Sequence, residues 1–125
     1  MKRVFIVEDE PSLQYFYRQA VIFNDMELLG IAKDGNEAVS MFKSFPEKPK
    51  VILMDYRLPI KNGIEVAKEI LQIDDKVKII FITADSSIKD QVLSIGAYSF
   101  MDKPFSIKKL VQEINNAFKA SLVDA

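Results

Sequence analysis

The chain has 125 residues, with 17 Lys plus Arg against 18 Asp plus Glu and a formal net charge of -1. That is the length of one domain, it buries roughly two-thirds of its unfolded surface, and its near-neutral charge argues against bulk electrostatic binding to nucleic acid or an anionic membrane. It has no Cys and no His, which excludes disulfides, thiol catalysis, Ser-His-Asp triads and His- or Cys-ligated metals.

Short apolar runs recur along the chain and predict five strands: Val4-Phe5-Ile6-Val7, Leu28-Leu29-Gly30-Ile31-Ala32, Val51-Ile52-Leu53-Met54, residues 77–82 and the weaker Tyr98-Ser99-Phe100-Met101. Three of these are nearly continuous and rich in β-branched residues, as strands buried on both faces are. Helical periodicity fills the gaps. Leu13, Phe16, Tyr17, Ala20 and Val21 share one helical face, as do Ile107, Leu110, Val111, Ile114 and Phe118. Shorter helices fit residues 36–44, 64–73 and 87–95. Pro11 suits a first helical turn and Ser106 an N-cap. Gly35 and Gly96 sit where helices begin or end, and Pro46 and Pro49 bracket the loop that stops the second helix.

The order is therefore β-α five times, which predicts an α/β domain with a parallel sheet covered by helices on both faces. Residues 1–120 form the domain, and 121–125 are expected to be a short tail after a last helix ending near Ala120. The first strand follows only Lys2 and Arg3 and runs into three acids, so no secretory signal is expected, and no apolar run is long enough to cross a bilayer. A cytoplasmic protein is expected.

In open parallel sheets, ligands bind beyond the carboxyl ends of the strands. The first strand ends in Glu8-Asp9-Glu10, the third in Asp55, the fourth in Thr83-Ala84-Asp85 and the fifth near Lys103-Pro104. Polar loop ends are common singly. A run of acids, a hydroxyl and a lysine at four such junctions calls for a chemical reason. Clustered carboxylates repel, and a divalent cation relieves that repulsion. An all-oxygen set with room for water and a phosphate oxygen suits Mg²⁺ better than Zn²⁺. With the metal and Lys103 offsetting the acids, a carboxylate there attacks phosphorus without repelling the incoming oxygens, which Lys103 and the Thr83 hydroxyl receive.

Four motifs in order, "VEDE", "MDYRLPIKNG" around Asp55, "ITAD" and "MDKPF", resemble those of response-regulator receiver domains, from Met1 to about Ala120. The resemblance implies a doubly wound, flavodoxin-like sheet of strand order 2-1-3-4-5 and a single-domain switch in two-component signalling. It implies that Asp55 is the phosphoacceptor. Glu8, Asp9, Asp55 and the backbone carbonyl of Arg57 would hold Mg²⁺. Thr83 and Lys103 would bind the phosphoryl group, and the Lys103–Pro104 bond would be cis. Thr83 and Phe100 would form the switch, reshaping the surface of the fourth helix, fifth strand and fifth helix. Arg57 and Asp85, two residues beyond Asp55 and Thr83, would tune phosphoryl lifetime by pairing across the pocket. The donor would be a histidine kinase or a histidine phosphotransfer protein, since this chain has no histidine. The output would be a downstream protein, with no direct nucleic-acid or membrane contact, and the state a monomer or a phosphorylation-dependent dimer. Such a receiver catalyses only its own phosphorylation and dephosphorylation.

Simpler readings stand beside some of these. Phe100 is either the switch or a fixed core aromatic. Glu10 is a helix cap or a solvated acid, Gly63 permits a turn before the third helix, and at least one of Tyr15, Phe16 and Tyr17 faces outward. Lys108, Lys109 and Lys119 are a solvated face or a docking surface for an acidic partner. A phosphatase of haloacid-dehalogenase type needs a second acid where Arg57 stands. A flavodoxin-type cofactor module needs a phosphate-cradling loop where Glu8-Asp9-Glu10-Pro11 stands. A receiver that signals without phosphate usually lacks one of the acids, the Thr or the Lys, and all are present here.

Overall fold

The computed structural model describes residues 2–123. The apolar runs form five parallel strands, β1 (Arg3–Val7), β2 (Glu27–Ala32), β3 (Val51–Asp55), β4 (Lys78–Thr83) and β5 (Ser99–Asp102), in the order β2-β1-β3-β4-β5. Five helices connect or follow them: α1 (Pro11–Ile22), α2 (Gly35–Ser44), α3 (Gly63–Ile73), α4 (Lys89–Ser94) and α5 (Ile107–Val123). The expected fold class and strand order are borne out.

Alternation along each strand splits the core in two. Phe5, Val7, Ile52, Met54, Ile79 and Phe81 face α2, α3 and α4, meeting Phe42, Ile70 and Val92. Val4, Ile6, Val51, Leu53, Ile80 and Ile82 face α1 and α5, meeting Tyr17, Val21, Leu110 and Ile114. Burying side chains of this size stabilises the fold by about 1.5–3 kcal/mol each. Helix starts follow local chemistry. Pro11 opens α1, and the side chains of Asp34 and Asn62 accept the backbone N–H groups of Glu37 and Glu65 to cap α2 and α3. Ser106 Oγ accepts the Lys109 N–H at 3.1 Å and caps α5. Gly96 follows α4 with φ of 108°, a conformation glycine adopts without steric cost.

Two elements differ from expectation. The helix expected over 87–95 begins as a tight 3-10 turn, Ser86–Ile88, and only Lys89–Ser94 is α-helical. The Asp85 carboxylate accepts the Ser87 N–H at 3.1 Å and holds that turn. The last helix runs to Val123 rather than stopping near Ala120. Its buried face continues through Leu110, Ile114, Ala117, Phe118 and Ser121 at helical spacing, so packing carries it on. Asp124 and Ala125 of the expected tail lie outside the described residues. Among the described residues no helix is long and apolar enough to cross a membrane.

Candidate functional site

Because β1 and β3 are neighbours at the centre of the sheet, their carboxyl ends bring Glu8, Asp9 and Asp55 together. One carboxylate oxygen from each lies within 4.8 Å of the other two. Strand alternation puts Asp55 above Leu53 and Val51, on the α1/α5 side. Glu8 continues the row of Val4 and Ile6 on the same side, its N–H bonded to the Ala32 carbonyl at 2.9 Å. Glu8 is 1% exposed, Asp55 8% and Thr83 3%, so the site is cut into the top of the core.

Burial of Glu8 and Asp55 has a cost visible in their titration. Burial first, and then the neighbouring Asp55, raise the Glu8 carboxyl to about 7. Asp55 is likewise raised, by burial first and by Asp9, against the opposing pull of Lys103 and the N–H groups of Tyr56 and Arg57. Glu8 Oε2 accepts the Glu10 N–H at 3.1 Å, whereas the buried Oε1 has no protein partner. Buried acceptors are almost always satisfied. An unmet carboxylate oxygen within a three-acid, all-oxygen set fits a hard divalent cation such as Mg²⁺.

The other predicted residues lie in or just after β3, β4 and β5. Thr83 ends β4, and its Oγ1 accepts the Asp85 N–H at 3.2 Å, leaving its own O–H available to donate. Its carbonyl accepts the Lys103 N–H at 3.3 Å. The Lys103–Pro104 peptide is cis. Phe100 pairs with Phe81 across β4 and β5 and is half-buried against the α2/α3/α4 core. By alternation from Phe81, Thr83 stands on that same side. The Arg57 guanidinium is 3.9 Å from the Asp85 carboxylate and 78% exposed. Asp85 titrates below its ordinary value, chiefly through the Ser87 hydroxyl and N–H, with Arg57 a lesser cause. Glu10 precedes α1, makes no side-chain cap to the backbone, and accepts the Ser12 hydroxyl instead. Tyr15 is the outward-facing member of the aromatic run.

Three site features were not read from the sequence. Gln14 Nε2 donates to the Glu8 carbonyl at 2.6 Å and ties α1 to the acidic loop. Gly63 donates its N–H to the Tyr56 carbonyl at 2.7 Å, and a Cβ there would lie 2.2 Å from the Asp55 carbonyl oxygen. Its role is close approach to β3 rather than the turn expected. Tyr17 is buried with its hydroxyl unpartnered. Its place on the apolar face of α1, soon after three acids, was the available signal.

Comparison with known proteins agrees with this geometry. The family model described as the response regulator receiver domain matches residues 4–115. The chain is 33% identical over 120 residues to "Chemotaxis protein CheY" of Thermotoga maritima, covering 94% of this chain and 98% of that relative. It is 32% identical over 121 residues to "Transcriptional regulatory protein TrcR" of Mycobacterium tuberculosis, covering 95% of this chain but 46% of that protein. A chain in the CheX-CheY-BeF3-Mg+2 complex of Borrelia burgdorferi superimposes with a TM-score of 0.87 at 25% identity, covering 93% of this chain and 88% of that one.

Proposed function

This chain belongs to the response regulator receiver domain family, signalling switches whose general role is to accept a phosphoryl group, and on that footing we propose that Asp55 is the phosphoacceptor of a phosphorelay. The observation that carries this reading is the convergence of Glu8, Asp9 and Asp55 carboxylate oxygens within 4.8 Å at the carboxyl ends of adjacent strands.

The phosphoryl donor is a phosphohistidine on a histidine kinase or phosphotransfer protein. A carboxylate oxygen of Asp55 attacks phosphorus, an O–P bond forms as the N–P bond breaks, and the donor imidazole keeps the electron pair and takes up a proton. Glu8, Asp9, Asp55 and the Arg57 carbonyl would hold Mg²⁺, which would supply positive charge that screens the acids from the incoming phosphoryl oxygens. The Lys103 ammonium and the Thr83 hydroxyl donate to those oxygens as charge builds on them. A groove of about 400 Å³ beside Lys103, lined by Ser12, Leu13, Phe16, Lys103, Pro104 and Phe105, offers the donor an apolar seat.

Signal output follows from the two sides of the sheet. Thr83 and Phe100 share the α2/α3/α4 side. When the Thr83 hydroxyl turns toward the phosphoryl group it vacates space there, and the half-buried Phe100 ring rotates inward to fill it. That shifts the population of states presented by α4, β5 and α5 to a downstream protein.

Intact mass after incubation with acetyl phosphate tests the reading. The wild type gains one phosphoryl group only with Mg²⁺, and Asp55→Asn gains none. No gain in the folded wild type, either with acetyl phosphate or with a phosphorylated histidine phosphotransfer domain, overturns it.

A further inference from the structure

Tyr17 is 2% exposed, and its hydroxyl is buried without a protein partner. It lies in the α1/α5 core layer with Ile6 and Leu53, the layer that Glu8 and Asp55 cap. Its ring stacks on Phe105 at 6.5 Å with an interplanar angle of 7°, just beyond Lys103-Pro104. The phenol therefore lies on the same side of the sheet as the acidic pocket. Burial first, then Glu8, Asp55 and Glu10, push its ionisation upward, so the hydroxyl remains a neutral donor. On that side, Glu8 Oε1 is a buried acceptor that also lacks a protein partner. A buried phenol donor and a buried carboxylate acceptor, both without a protein partner, share one side of the sheet, and the Glu8 charge acts on the phenol. Leaving either unpaired is costly. Oε1 has two lone pairs, so a single water that also takes the phenol hydrogen can occupy one and leave the other for a cation.

We propose that Tyr17 is a positioning residue: its hydroxyl, acting through one buried water, holds the Glu8 carboxylate in the orientation that presents it to Mg²⁺. This rests on the metal reading of the site given above. Tyr17 touches neither the metal nor the phosphoryl group. It acts as outer partners of metal ligands do, by fixing the ligand's direction, and such partners are worth about 10–100-fold in metal affinity.

The test is Tyr17→Phe, which keeps the ring and its stack on Phe105 and removes only the oxygen. Calorimetric titration with MgCl₂ should show about tenfold weaker binding than wild type. Phosphorylation by acetyl phosphate should need correspondingly more Mg²⁺ for half-maximal rate, while the rate at saturating Mg²⁺ is kept. Thermal melting in EDTA confirms that the variant is folded. In a high-resolution crystal structure of the wild type, one solvent molecule should lie within hydrogen-bond distance of both Tyr17 Oη and Glu8 Oε1. Equal Mg²⁺ affinities of Tyr17→Phe and wild type overturn the inference, as does a refined structure in which no solvent joins the two atoms. If the wild type itself binds no Mg²⁺, the metal reading fails instead, and with it the premise of this one.

Discussion

Ile60, in the loop between β3 and α3, and Gly63, which opens α3, make opposite demands on the residue that occupies them. A Cβ at Gly63 would fall 2.2 Å from the Asp55 carbonyl oxygen and 3.0 Å from Tyr56 Cα. Both obstacles are backbone and cannot swing aside. Gly63→Ala must push α3 away from the end of β3, and overpacking of this kind costs about 1–3 kcal/mol. Since Asp55 is the residue displaced, phosphorylation by acetyl phosphate should slow along with the fall in urea midpoint. Ile60 is the reverse case. It is 70% exposed, and its φ of 73° is a left-handed conformation that a β-branched residue adopts at a cost. Ile60→Asn should relieve about 1 kcal/mol and lose almost no packing, so denaturant unfolding should show a higher midpoint with an unchanged slope. A lower midpoint would mean that the Ile60 side chain supports the loop. Neither demand is written in the local sequence. "LPIKNG" announces a turn, but the clash at Gly63 comes from how α3 docks on β3, and the φ of Ile60 from the loop's need to reach that dock. Tyr17 escaped for a related reason: helical spacing buries its ring, but only the packed core shows that its hydroxyl meets no partner.

At the scale of elements, the strand ends were legible because alternation and length are local properties. Glu8, Asp55, Thr83 and Lys103 were each placed by counting to the end of an apolar run. The β4–α4 connection was less legible. Asp85, Ser86 and Ser87 favour a tight capped turn over a regular helix start, since short polar side chains compete for backbone N–H groups. That turn fixes Asp85 opposite Arg57 at the mouth of the site. The pair is long at 3.9 Å, and the guanidinium is mostly in water, so it is worth at most about 1 kcal/mol. We propose that the pair restricts the water that would attack phospho-Asp55. Replacing both residues by Asn should leave thermal stability nearly unchanged and shorten the lifetime of the acyl phosphate. If the barrier falls by no more than the pair is worth, the acceleration is about fivefold at most. Following loss of phosphoryl mass after donor removal measures it, and an unchanged lifetime removes Arg57 and Asp85 from the hydrolytic step. Because Ser87 already holds Asp85, Arg57→Asn alone should give most of the effect.

For the whole molecule, the acidic site sets function against stability. The same burial that shapes the site proposed for phosphoryl transfer places Glu8 and Asp55 where they resist ionisation. The Glu8 carboxyl moves from 4.5 to about 7 on folding, and Asp55 moves in the same direction. Between those values the folded chain holds a proton that the unfolded chain has released. Stability of the metal-free protein therefore falls as pH rises from about 4.5 and levels off above about 7, with about 3 kcal/mol at stake from Glu8. Urea unfolding in EDTA across that window should show the decline. Glu8→Gln cannot ionise, so its curve should be flatter and should lie above the wild type at the alkaline end. Saturating Mg²⁺ binds only the folded site and should restore the wild type there, but help Glu8→Gln much less. A wild-type curve that is flat or rises with pH in EDTA would mean that the buried acids are solvated well enough to ionise freely. The repulsion would then no longer be the reason the site takes a cation.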